Sequence, residues 1–167
     1  MGRSGECDAG ANRVAFPIQT MFIGEYHHTL DDKGRMALPG KFRSAFSGGC
    51  VITRGIDSCL TVYTTKEWKV LAEKVSTLPV AQANTRAFTR HVLAGAMDCP
   101  LDAQGRVVLP EYLRTYADLV KEVVVVGLAT RLEIWDATAW NAYRTRTDAE
   151  SSTIAEQLGR SEERRVG

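Results

Sequence analysis

Short apolar runs alternate along the chain with compact polar turns. The longest run is Val123 to Val126, extended past Gly127 by Leu128 and Ala129. A run that short reads as a buried strand. No stretch approaches the roughly 18 apolar residues that a membrane helix needs. The pattern is also duplicated. Residues 30–43 read LDDKGRMALPGKFR and residues 101–114 read LDAQGRVVLPEYLR, with seven of fourteen positions identical at an offset of 71. Further on, Gly55-Ile56, Leu60, Val62-Tyr63 and Trp68 match Gly127-Leu128, Leu132, Ile134-Trp135 and Trp140 at an offset of 72. The halves are copies of one supersecondary unit. A duplicated surface motif suits a binding protein better than an enzyme, whose active site is usually built once.

Each copy predicts the same elements. A strand (25–30; 96–101) enters a turn at Asp-x-x-Gly, where Gly34 and Gly105 can take positive φ at little steric cost. A short strand follows (35–38; 106–109). Pro39 and Pro110 then fall at the first position of short helices over 40–46 and 111–118. Two strands come next, at 50–54 and 60–63 in the first copy and at 122–127 and 131–135 in the second. A longer helix closes each unit. Thr64 with Glu67 forms a capping box, and Asp136 is the equivalent N-cap. Residues 81–93 predict a helix between the units. Residues 148–167, rich in Glu, Arg, Ser and Gly, predict a helix end and a flexible tail. The units are placed at 25–67 and 96–139. Residues 1–20 read as a tag-like or disordered extension, with Met21 a natural start.

Composition narrows the class. The 167 residues are 44% hydrophobic and 25% charged with a net charge of +1. These are globular proportions, and they exclude a histone-like polycation but not a local basic patch. A basic segment is present, and it reads either as a modest footprint for nucleic acid or as a solvated charged face. Lys33, Arg35, Lys41 and Arg43 occur within eleven residues that contain no acid. The linker around Arg86 and Arg90 is also free of acids. The cysteines at 7, 50, 59 and 99 form no C-x-x-C and have no His at zinc-ligand spacing, so reduced thiols in a cytoplasm are expected. Cys50 and Cys59 read as small core residues. His27 and His28, adjacent on a strand, point to opposite faces and do not suit one metal. Trp68, Trp135 and Trp140, with Tyr63, are expected to anchor the closing helices on the sheet. No catalytic motif is present, so neither an enzyme nor a cofactor, metal or small-molecule substrate is expected.

The D-x-x-G-R segment holds the candidate chemistry. Asp31 and Asp102 can accept bonds from turn amides or pair with Arg35 and Arg106 four residues on. The pairing can be a clasp for the turn. It can equally hold a guanidinium ready for a guanine edge or a phosphate. The spacing alone leaves both open.

Met21-Phe22-Ile23-Gly24, the LDDKGRMALP and LDAQGRVVLP pair and the later VVVVGLATRLEIW resemble the MraZ family over roughly residues 21–160. The resemblance implies an α+β fold of two pseudo-symmetric AbrB-like (SpoVT-AbrB) swapped-hairpin units fused in one chain. It implies a bacterial transcriptional regulator, usually a repressor, of the division and cell-wall gene cluster that includes its own gene. Its implied partners are double-stranded DNA, at repeated upstream elements, and itself, as a closed homo-oligomeric ring. It implies a cytoplasmic, nucleoid-associated protein. Arg35, helped by Lys33, is expected to read base edges, with Arg106 making a related or phosphate contact. Lys41, Arg43 and Arg114 are the expected phosphate contacts. Asp31, Asp102, Gly34 and Gly105 are expected to orient the arginines. An antitoxin-like protein and a structural ring or adaptor of the division machinery are the alternatives.

Overall fold

The computed structural model describes residues 21–166. The N-terminal extension over 1–20, including Cys7, lies outside them. The elements are β1 (Phe22–Thr29), β2 (Arg35–Ala37), a 3-10 helix (Gly40–Phe46), β3 (Cys50–Arg54), β4 (Leu60–Thr64), α1 (Thr65–Ser76), α2 (Ala83–Leu93), β5 (Met97–Cys99), β6 (Arg106–Val108), α3 (Glu111–Tyr116), β7 (Glu122–Ala129), β8 (Arg131–Asp136) and α4 (Ala137–Val166). Helix and sheet are mixed and the two units are interleaved, as an α+β duplicated fold requires.

Neither unit closes on itself. β1 of the first unit pairs with β7 of the second, from Phe22 opposite Ala129 to Thr29 opposite Glu122. In return, β5 of the second unit pairs with β3 of the first, with Cys50 opposite Cys99. The six-stranded sheet runs β1-β7-β8-β4-β3-β5, while β2 and β6, one from each unit, form a separate two-stranded ribbon. Backbone bonds extend that ribbon into each turn, from Leu38 N–H to Gly105 O (3.1 Å) and from Leu109 N–H to Gly34 O (2.8 Å).

Burial explains the exchange. Alternation sends Met36 and Val107 of the ribbon inward against Phe22, Phe46, Ile52, Leu60, Val62, Leu132 and Ile134, so both units share one apolar core. Phe22 lies edge-on to Phe42 and stacks on Phe46, with ring centroids 5.0 and 5.2 Å apart. Val123 to Val126 are buried on both faces of the sheet. The even-numbered pair joins Cys59 and Trp135 in a second cluster, covered by Trp140 and Tyr143 of α4. Tyr63 lies 5.9 Å from Trp68, and Trp135 lies 5.4 Å from Trp140, so the aromatics hold the closing helices to the sheet.

The caps form from the residues that predicted them. Thr64 Oγ1 accepts the Glu67 N–H at 3.2 Å. Asp136 Oδ2 accepts the N–H groups of Thr138 and Ala139. The prolines differ by one register. Pro39 and Pro110 are the N-cap residues, with extended ψ, and not the first helical residues. The C-terminal segment differs more. The flexible tail expected over 148–167 is continuous helix as far as Val166. Good helix formers such as Ala, Glu, Gln and Arg carry it there, although its side chains from Asp148 to Arg165 are exposed. Cys50, Cys59 and Cys99 are free, buried thiols. Burial pushes Cys50 and Cys59 up to about 12 and Cys99 up to about 11.

Candidate nucleic-acid interface

Each Asp-x-x-Gly-Arg segment is a closed, hydrogen-bonded loop. Asp31 Oδ1 accepts the N–H groups of Lys33 and Arg35, both at 2.9 Å. Its Oδ2 accepts Arg35 Nε at 2.6 Å. The second copy repeats this. Asp102 Oδ1 accepts Gln104 and Arg106 N–H at 2.9 Å, and Oδ2 accepts Arg106 Nε at 2.8 Å. The backbone N–H of the arginine is the main cause holding each Asp carboxyl below its usual range, and the arginine side chain adds to it. A depressed carboxylate stabilises the fold above its unfolded value and loses that contribution as pH falls through the folded one. The loops therefore stay charged until the pH drops beneath the ordinary aspartate range.

The pairing is monodentate at Nε, which leaves the two terminal nitrogens of each arginine outside the clasp. Clasp and presented guanidinium thus coexist. Each arginine side chain is about a third exposed, 30% for Arg35 and 31% for Arg106.

The ribbon places both arginines on one face. Arg35 lies opposite Val108, and Ala37 opposite Arg106. Paired residues share a face, as do residues two apart on a strand. Arg35, Ala37, Arg106 and Val108 therefore face outward while Met36 and Val107 face the core. Arg35 and Arg106 stand diagonally across the ribbon, which separates them by about 7–8 Å.

The remaining candidates have divided roles. Lys33 sits at the tip of the first loop, exposed; its counterpart Gln104 carries no charge. Lys41 lies on the 3-10 helix, its ammonium 5.9 Å from the centre of the Tyr26 ring and 5.6 Å from that of Phe42. Arg43 and Arg114 link the units. Arg43 Nε donates to Leu38 O at 3.1 Å and Arg114 Nε to Leu109 O at 3.0 Å. Each then lies against the other unit's loop. A Cβ on Gly105 would sit 2.5 Å from Arg43 Cδ, and one on Gly34 would sit 2.9 Å from Arg114 Nε. With φ at +72° and +73°, Gly34 and Gly105 are thus required for backbone shape and for clearance. Positive φ was predictable from the turn. The crossing arginines were not, because nothing local records which unit's side chain covers which loop.

Arg114→Ala is expected to lower the unfolding free energy by about 1–2 kcal/mol, through loss of a charged hydrogen bond to Leu109 O. Arg114→Lys is expected to recover little, because lysine lacks the Nε fork. Thermal unfolding checks this. A side chain serving only phosphates would leave the midpoint unchanged.

No group of three His, Cys, Asp or Glu side chains among the described residues could hold a metal ion. His28, on β1, is half-buried, and burial is the main cause lowering its pKa. No helix of the described residues is long and apolar enough to cross a membrane.

The sequence profile of a family described as "MraZ protein, putative antitoxin-like" matches twice, over residues 21–91 and 92–160. The chain belongs to the MraZ family. Similar curated proteins include one from Natranaerobius thermophilus, 46% identical over 138 residues, and one from Moorella thermoacetica, 48% identical. A third, from Carboxydothermus hydrogenoformans, is 49% identical. Each alignment covers 83% of this chain and 96% of the relative, and each relative is named a transcriptional regulator. That name describes a regulatory role and not an enzymatic one. The two profile matches follow the internal repeat, so MraZ sequences share the duplication that the loops display.

Proposed function

We propose that this MraZ protein regulates transcription by binding duplex DNA in a sequence-specific manner, with the β2–β6 ribbon entering the major groove. The carrying observation is the pair of clasped arginines on one exposed face of a ribbon drawn from both units. The major groove is about 12 Å wide and admits a two-stranded ribbon. Two arginines about 7–8 Å apart span roughly two base-pair steps of about 3.4 Å. With Nε held by Asp31 or Asp102, each arginine offers its terminal nitrogens to the O6 and N7 of a guanine. Lys33, expected to help Arg35 at the base edges, lies on the loop tip outside the paired ribbon and is assigned with Lys41 to phosphates, while Arg43 and Arg114 set the loops and lie close enough to the backbone to assist.

The protein represses the division and cell-wall gene cluster that contains its own gene, acting at the nucleoid as a closed ring on repeated upstream elements. Several weak contacts made together explain how a chain of net charge +1 gains affinity. Fluorescence anisotropy on the DNA upstream of its gene, against scrambled DNA and across a salt titration, tests the reading. Preference for the upstream DNA supports it, and equal binding to both, or to neither, rejects it. An antitoxin-like role is the second reading, favoured by the family description and by the exposed C-terminal half of α4. Co-purification of a small protein partner would support it.

A further inference from the structure

We propose that Val108 is a thymine reader, making van der Waals contact with the 5-methyl group of a thymine in the major groove beside the base pair that Arg35 contacts. This rests on the DNA-binding reading above and assigns a residue outside the arginine motif to it.

The outward face of the ribbon is made of four side chains, and two of them are not polar. Val108 is 55% exposed, although the two arginines share its face. It stands directly opposite Arg35, which puts their Cβ atoms about 4.5–5.5 Å apart. That spacing is about one and a half base-pair steps of about 3.4 Å. A residue there meets the neighbour of the pair contacted by Arg35.

The chemistry of the groove floor then restricts what Val108 can meet. Guanine, adenine and cytosine are distinguished there by hydrogen-bonding groups, and thymine alone presents a methyl. A valine offers no donor or acceptor. Against a polar base edge it would leave that edge unpaired, which is unfavourable. Against a thymine methyl it buries apolar surface on both sides.

The clasp makes the contact reachable. An arginine held at Nε by its own loop cannot extend fully. Its terminal nitrogens reach a guanine only if the ribbon approaches the groove floor closely, and close approach brings the short valine into range. The pseudo-symmetric position opposite Arg106 is Ala37, which has one methyl where Val108 has two beyond its Cβ. The two ends of the ribbon therefore differ, and the stronger demand for thymine falls beside Arg35.

The test uses the fragment upstream of the gene, synthesised once with dTTP and once with dUTP. Uracil pairs as thymine does but lacks the methyl. Affinities are measured by anisotropy for wild type, Val108→Ser and Val108→Thr, each confirmed folded by circular dichroism. Wild type is expected to bind the thymine fragment about fourfold more tightly per methyl contacted. Val108→Ser is expected to bind both fragments equally, near the affinity of wild type for the uracil fragment. Val108→Thr, which keeps a branched methyl and the strand propensity, is expected to retain part of the preference. Equal wild-type affinities, with preference over scrambled DNA intact, would overturn the thymine contact alone. A thymine preference undiminished in Val108→Ser would also overturn it, since the methyl would then be acting through DNA shape. Wild-type binding no better than to scrambled DNA would overturn the DNA-reading proposal, and this inference with it.

Discussion

Replacing Arg35 with alanine is expected to reduce binding to the upstream DNA about 10- to 100-fold, while the melting temperature stays nearly unchanged. The binding loss follows from one bidentate guanine contact, worth about 1–3 kcal/mol of discrimination. The stability follows from the clasp. Asp31 Oδ1 accepts the N–H groups of Lys33 and Arg35, and both bonds are to the backbone. They survive in the alanine variant. What is lost is an exposed ion pair, and such pairs add little stability. Arg106→Ala is expected to act in the same direction. The two arginines are close enough on the ribbon that the double variant need not show the product of the single effects. Lys33→Ala is expected to differ in kind, weakening all sequences and lowering the salt slope by about one. Anisotropy across a salt series, with thermal melts alongside, separates the cases. An Arg35→Ala protein that melts early and keeps its DNA preference would make the arginine a clasp only.

Much of the fold was legible because the repeat was. The strands read at 50–54 and 60–63, the caps at Thr64 and Asp136 and the helix ending at Leu93 all arise from local chemistry, and local chemistry is written in the chain. The pairing was not local. Taken alone, LDDKGRMALP suggests a strand, a turn and a strand that fold back on each other. The structure instead pairs β1 with β7 and β2 with β6. Only the shared core explains that choice, since Met36 and Val107 are buried together by bringing the two copies side by side. The same limit applies at the site. Asp31, Gly34 and Arg35 announce themselves by spacing. The covering of Gly34 by Arg114 and of Gly105 by Arg43 depends on the exchange between units, and so does the shared face of Arg35 and Val108. Residues 148–166 are helical despite their polar, charged composition, because Ala, Glu, Gln and Arg favour helix and composition alone does not separate an exposed helix from a tail.

Gly127→Ala is expected to be among the most destabilising single-methyl changes in the protein, at about 3 kcal/mol. Gly127 sits in β7 opposite Gly24 of β1. A Cβ added there would come 2.5 Å from Ile23 N and 2.6 Å from Phe22 C. These are backbone atoms, so no side-chain rotation relieves the clash. Relief requires β1 to move off β7, which disturbs the eight-residue ladder and the burial of Phe22 between Phe42 and Phe46. β1 is also the strand that the first unit lends to the second, so the damage falls on the contact that fuses them. For a fold of about 150 residues, 3 kcal/mol corresponds to a fall of roughly 6–12 °C in the melting temperature. Gly159→Ala is the matched control. It lies in α4 with nothing within 4 Å of an added Cβ. Alanine there is expected to stabilise the helix by up to about 1 kcal/mol. Thermal unfolding of the two variants therefore moves in opposite directions if β1 is held this closely. An unchanged midpoint for Gly127→Ala would mean that β1 shifts off Gly127 without cost, and that the strand exchange tolerates slack where its two glycines meet.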